Sequence, residues 1–120
     1  MSIKDVRVDT AFDLQTPDSR NKNIMHVVAL KPCGCTGPLM GLVGRIRVTQ
    51  WPAPSQLPER PRGTPEDAGL WGAYPERRRS SSAIALAWSP EDAAAELRSW
   101  WGMRNVRTAI RRSERKRAVT

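Results

Sequence analysis

A small α+β domain is predicted by three features of the 120-residue sequence. Segments 24–31 and 40–51 are apolar runs joined by a Gly/Pro loop. Segment 82–88 is a third such run. From Pro90 to Lys116 there is no proline, and Ala, Glu, Leu and Arg dominate. The first patterns are those of strands and the last is that of a helix. The expected architecture is a three- to four-stranded, mostly antiparallel sheet, a long Pro-rich loop, and two C-terminal helices covering one sheet face. This length suits a single domain: strands and hairpin over 1–51, Pro-rich loop over 52–80, strand and helix over 81–101, and a basic C-terminal helix and tail over 102–120.

Residues 3–9 alternate weakly, with Val6 and Val8 on one face, and predict a first strand. The run TPDSRNKN within 10–23 predicts a turn-rich connector. IMHVVALK and MGLVGRIRVTQW, separated by KPCGCTGP, predict an antiparallel hairpin. In its second strand Leu42, Ile46 and Val48 take one face, and Arg45, Arg47, Thr49 and Trp51 the other. That polar face is either an ordinary solvated surface or one that holds a nucleic-acid backbone and stacks a base. Pro52, Pro54, Pro58, Pro61, Pro65 and Pro75 exclude a long helix or central strand between them. Thr64-Pro65-Glu66-Asp67 predicts one short helical turn ending near Gly69. Leu70, Trp71 and Tyr74 either pin this loop to the body or form an apolar recognition patch.

In segment 82–88, Ile84, Leu86 and Trp88 take one side and alanines the other, small enough for a helix to pack closely. Ser89 then caps a helix, Pro90 takes its first position, and Glu91 and Asp92 complement its dipole. The same pattern at Thr64 is recurring cap chemistry and not a structural repeat, because the flanking residues diverge. Ala93, Leu97, Trp100 and Trp101 cluster on one helical side, while Met103, Val106 and Ile110 cluster roughly 150° away. The spacing predicts a helix over 90–101, a break at Gly102 and a second helix over about 103–116, unless the second stripe meets a different partner. The turn from Gly102 to Val106 is too short for a helix-turn-helix.

The chain has 20 Lys+Arg against 12 Asp+Glu, a net +8. Arg98, Arg104, Arg107, Arg111, Arg112, Arg115, Lys116 and Arg117 lie in the last stretch against Glu114 alone, so the rest is nearly neutral. Clustered cations favour polyanionic partners, and the guanidinium fork suits phosphates and base stacking. A GC-rich genome explains the excess of arginine over lysine equally well, but not its clustering. The leading expectation is non-enzymatic binding to nucleic acid or a nucleoprotein complex. Arg104, Arg107, Arg111, Arg112, Arg115, Lys116 and Arg117 would contact phosphates, with Arg45, Arg47 and Trp51 as a second surface. The alternative is a small phage-type inhibitor or adaptor docking on a larger protein machine, such as a CRISPR complex. It rests on five tryptophans, since Trp and Arg anchor protein interfaces, and would use Trp71 and Tyr74. A solvated basic helix without a ligand, and a viral structural protein with a genome-facing tail, are the remaining readings.

Chemistry elsewhere is sparse. His26, Cys33 and Cys35 are weak metal candidates, offering three ligands where structural zinc takes four; the plain reading is two loop cysteines and a strand histidine. A single histidine leaves no Ser/His/Asp constellation, so no catalytic residue, cofactor or small-molecule substrate is expected. Asp5, Asp9, Asp13 and Asp18 read as turn and edge acids, with divalent-ion binding as the alternative. GPLMGLVGR lacks the phosphate-loop pattern. Two cysteines make no disulfide framework, no apolar run reaches the ~20 residues of a membrane span, and MSIKDVRVD lacks a signal-peptide core. The expected location is cytoplasmic, in a host cell or virion context, with no membrane partner; the apolar stripe is narrow and carries no aromatic after Trp101.

Overall fold

Val, Ile and Leu crowd the segment Ile24–Leu30, and this composition suits a pleated, half-buried surface. It forms strand β2 of a five-stranded sheet in the computed structural model, which describes residues 1–76 and 82–119, with side chains as far as Arg115. The strands are β1 (Phe12–Gln15), β2, β3 (Thr36–Ile46), β4 (Leu70–Tyr74) and β5 (Ala85–Ala87), followed by one helix, α1 (Pro90–Val119). They lie side by side in chain order, every neighbour antiparallel. The predicted hairpin is present as β2–β3. Its tip closes through hydrogen bonds from Lys31 N to Cys35 O and from Gly34 N to Lys31 O, both 2.8 Å. Gly34 sits at φ +86°, a conformation that costs other residues free energy.

The first strand is not at residues 3–9. Ile3–Asp5 is a 3-10 turn, tied by Ser2 N donating to the Asp5 carboxylate at 2.8 Å. Val6 is fully buried while Val8 is 51% exposed, so the two do not share a face. The edge strand is instead Phe12–Gln15, within the segment read as a connector. The second hairpin strand ends at Ile46; Val48–Gln50 is another 3-10 turn, and Val48 is 73% exposed. The Pro-rich region is also shorter than expected, because β4 occupies Leu70–Tyr74. Trp71 and Tyr74 are therefore buried strand residues, 9% and 6% exposed, and not a recognition patch on a loop. With Leu70 they pin the end of this segment to the body, the first of the two predicted roles, and Trp51 and Trp88 pin the loop before it. Their rings meet edge-on at 5.3 Å, Trp51 Nε1 donates to Ile46 O, Trp88 Nε1 donates to Pro58 O, and the Arg60 guanidinium lies 4.3 Å from the Trp88 ring centre.

The alanine side of β5 faces the core as its pattern predicts. Ala85 and Ala87 meet Ala93, Ala94 and Leu97 of α1 above Val27, Ala29, Val43, Trp71 and Ala73 of the sheet. Ser89 caps α1, its Oγ accepting from Asp92 N at 3.1 Å. Halfway along, Trp101 Nε1 donates to Met40 O at 2.7 Å and fixes the helix on the sheet.

One 30-residue helix replaces the two that were predicted. Gly102 does not break it; it makes room for the N-terminal segment that crosses there. A Cβ at Gly102 would lie 2.6 Å from Val8 N and 2.9 Å from Arg7 C. Asn105 Nδ2 donates to Ile3 O and Val6 O, each at 2.9 Å, and Arg98 Nη1 donates to Thr10 O at 3.1 Å, so residues 3–10 are strapped across the helix. Gly102→Ala is expected to destabilise the fold by about 1 kcal/mol, and by no more than about 2 kcal/mol. Crowding of about 1–3 kcal/mol opposes a helix-propensity gain of roughly 1 kcal/mol. Urea denaturation measures the sign, and a stabilised variant would show that the strap is not seated at this glycine.

The two apolar stripes diverge because only the first is docked. From Val106 to Arg115 every side chain is exposed, and α1 projects beyond the sheet by about 20 Å. The radius of gyration, 16.3 Å, accordingly exceeds the roughly 14 Å of a compact chain this long. Among the described residues no helix is long and apolar enough to cross a membrane.

Candidate nucleic-acid interface

On a continuous helix, Arg104, Arg107, Arg111 and Arg115 fall within an arc of about 80° at 100° per residue. All four are exposed, and the uninterrupted α1 holds them in one line along its projecting half. Among the described residues no ion pair engages any of the four, although Glu114 stands three residues from Arg111. Their charge is therefore directed outward.

Trp100 belongs to the same strip, one turn before Arg104. The Arg104 guanidinium lies 5.4 Å from the Trp100 ring centre. Trp100 in turn meets Trp101 edge-to-face, at 4.9 Å and 83°. Trp100, Met103, Arg104, Arg107, Thr108 and Arg111 line a shallow cleft of about 320 Å³. Sequence reasoning placed Trp100 with the core stripe; its spacing of four residues from Arg104 was the signal that it also reaches the arginine strip.

The other predicted contacts separate. Arg112 points about 100° away from the strip's centre and lines a groove with Lys4, Asp5, Arg7 and Asn105. The side chains of Lys116 and Arg117 lie outside the described residues. Arg45 and Arg47 come together around a groove with Asn21 and Asn23, but Trp51 has turned back to Ile46 O and Trp88. The face of Arg45, Arg47, Thr49 and Trp51 thus does not form, because the strand alternation stops at Ile46. Arg45 itself packs over Gly69.

His26 pairs with Gln15 and Leu42 in mid-strand. It lies seven positions before Cys33; the four strand steps from His26 to Leu30 alone rise about 13 Å, and it does not join the cysteines. Among the described residues no group of three or more His, Cys, Asp or Glu is placed to hold a metal ion. Cys33 and Cys35 are free and exposed at the hairpin tip. Hydrogen bonding from the Cys35 thiol and backbone holds the Cys33 thiol below its ordinary value, while the same thiol contact pushes Cys35 up. The thiolate is the nucleophile, so Cys33 is expected to react with iodoacetamide before Cys35 near neutral pH. Peptide mass spectrometry at low conversion reads the order, and equal labelling would contradict it.

Two of the four N-terminal acids, Asp5 and Asp18, hold turns. Asp5 caps the N-terminal turn, and its carboxyl is held below the usual range chiefly by the Ser2 backbone N–H. Asp18 accepts from Arg20 N at 2.9 Å in a turn, and Asp13 lies on the edge strand. An uncovered apolar seam runs beside the arginine strip: Met103, Val106 and Ile110 are 53%, 47% and 53% exposed. No protein-family model matches the chain, and neither the curated proteins nor the solved structures contain a match, so its function is read from its own residues.

Proposed function

We propose that this chain is a non-enzymatic nucleic-acid- or nucleoprotein-binding accessory protein, in which the projecting half of α1 contacts phosphates. The observation that carries this reading is the line of Arg104, Arg107, Arg111 and Arg115 on a rigid helix, exposed and engaged by no internal carboxylate among the described residues. Regularly placed cations on a preorganised rod release counterions from a polyanion without reordering the protein. The experiment is a titration of the full chain with a fluorescent oligonucleotide across a salt series. Binding that weakens steeply with salt supports the mechanism, and binding indifferent to salt excludes it.

A second reading, the small inhibitor or adaptor on a larger protein machine, gains support from one observation only. The Met103, Val106 and Ile110 seam has the i, i+3, i+7 spacing of a helix that lies in a groove. With Trp71 and Tyr74 buried, this reading would use the seam as its docking surface and not the loop.

A further inference from the structure

Resting on the reading of the arginine strip as a phosphate-binding surface, we infer that its polymer is single-stranded, with one unpaired base stacking at Trp100. Trp101 closes the core: its ring packs against the buried cluster and its N–H is bound to Met40 O at 2.7 Å. Trp100 meets that anchored ring edge-to-face at 4.9 Å and stands at the inner end of the strip. Its indole is half-buried and lines the same cleft as Arg104, Arg107 and Arg111.

The Arg104 guanidinium, 5.4 Å from that ring, adds a planar cation beside the indole. A base entering the cleft meets a π-face and a guanidinium plane together, while Arg107 and Arg111 lie further along the helix to take the following phosphates. In a duplex each base face is covered by its neighbours, so a rigid indole finds nothing to stack on along the helix. In a single strand every base has a free face. The cleft volume, about 320 Å³, is at the small end for ligand sites and suits one nucleotide. Stacking of this kind tolerates any base, consistent with a surface that has cations and an aromatic but no array of Asn or Gln to read base edges.

The test compares the parent, Trp100→Ala and Trp100→Phe for binding to a 20-nucleotide oligothymidylate and to a 20-base-pair duplex at one salt concentration. Trp100→Ala is expected to lower oligothymidylate affinity roughly tenfold, the scale of one lost base stack, with duplex affinity changed less than about twofold. Trp100→Phe keeps an aromatic face and is expected to recover most of the loss; it also preserves a ring against Trp101, so it carries the test even where the alanine variant folds poorly. Equal loss on both polymers, no loss on either, or a phenylalanine variant as weak as the alanine one would each overturn the stacking assignment. A parent that binds both polymers equally with no effect of Trp100 leaves the arginine strip standing, whereas a parent that binds neither removes both readings.

Discussion

Trp71→Ala is expected to destabilise the domain by about 3–5 kcal/mol, the usual cost of truncating a buried tryptophan. Trp71 is 9% exposed in the middle of the sheet, paired across β5 with Ala87 and packed in the cluster under α1. Across the β4–β5 ladder it stands beside Ala87, whose methyl group cannot fill the volume the indole leaves. Set against the ~5–15 kcal/mol that holds a domain of this size together, the loss is a large fraction of the total. Guanidinium denaturation followed by circular dichroism measures it. The competing role of Trp71, an exposed docking anchor on a loop, makes the opposite forecast: unchanged stability and weakened partner binding. A change below about 1 kcal/mol, the range of surface substitutions, would return Trp71 to the surface and contradict the placement of β4.

The sequence reveals elements where local chemistry and tertiary packing agree. The alanine face of β5 and the Ser89 cap are two such places: small residues opposite Ile84 and Leu86 do receive the helix, and the cap does start it. The same pentapeptide pattern at Thr64 does not start a helix. It closes one turn, Ala68 N to Pro65 O at 3.1 Å, because Gly69 and the strand-forming Leu70–Tyr74 follow, where Ala94, Ala95 and Leu97 follow the other. Cap signals mark a beginning, and the next turn decides whether it propagates. Gly102 misled for a related reason. Glycine lowers helix propensity, but here its missing side chain makes room for residues 7 and 8, far away in sequence. Phe12 and Leu14 alternating with Asp13 and Gln15 carried a strand signal that was only four residues long and embedded in turn formers. The arginine strip was legible because helical spacing alone fixes it. Its continuity with Trp100 is carried by the same four-residue spacing from Arg104, but only for a helix that runs straight through Gly102.

Replacing Arg104, Arg107, Arg111 and Arg115 together with alanine is expected to abolish most polyanion binding and nearly all of its salt dependence. Four phosphate contacts give a slope of log affinity against log salt of about −3 for a single strand and nearly −4 for a duplex. From 50 to 200 mM salt, the parent should therefore lose roughly 50- to 150-fold in affinity through these residues, and the variant should lose little. Stability should move by less than about 0.5 kcal/mol. The side chains are exposed and alanine is the better helix former. Among the described residues, the stacking of the Arg104 guanidinium on Trp100 is the interaction these substitutions remove. Net charge alone would also weaken binding, so the decisive control removes four exposed cations elsewhere: Arg20, Lys22, Lys31 and Arg62. Placement along α1 predicts that the control keeps the parent's salt slope with only a modest drop in affinity, because charges away from the bound polymer act through a field that salt screens within about 8–10 Å. If the control loses as much as the helix variant, the polyanion responds to total charge and the projecting helix is not its binding surface.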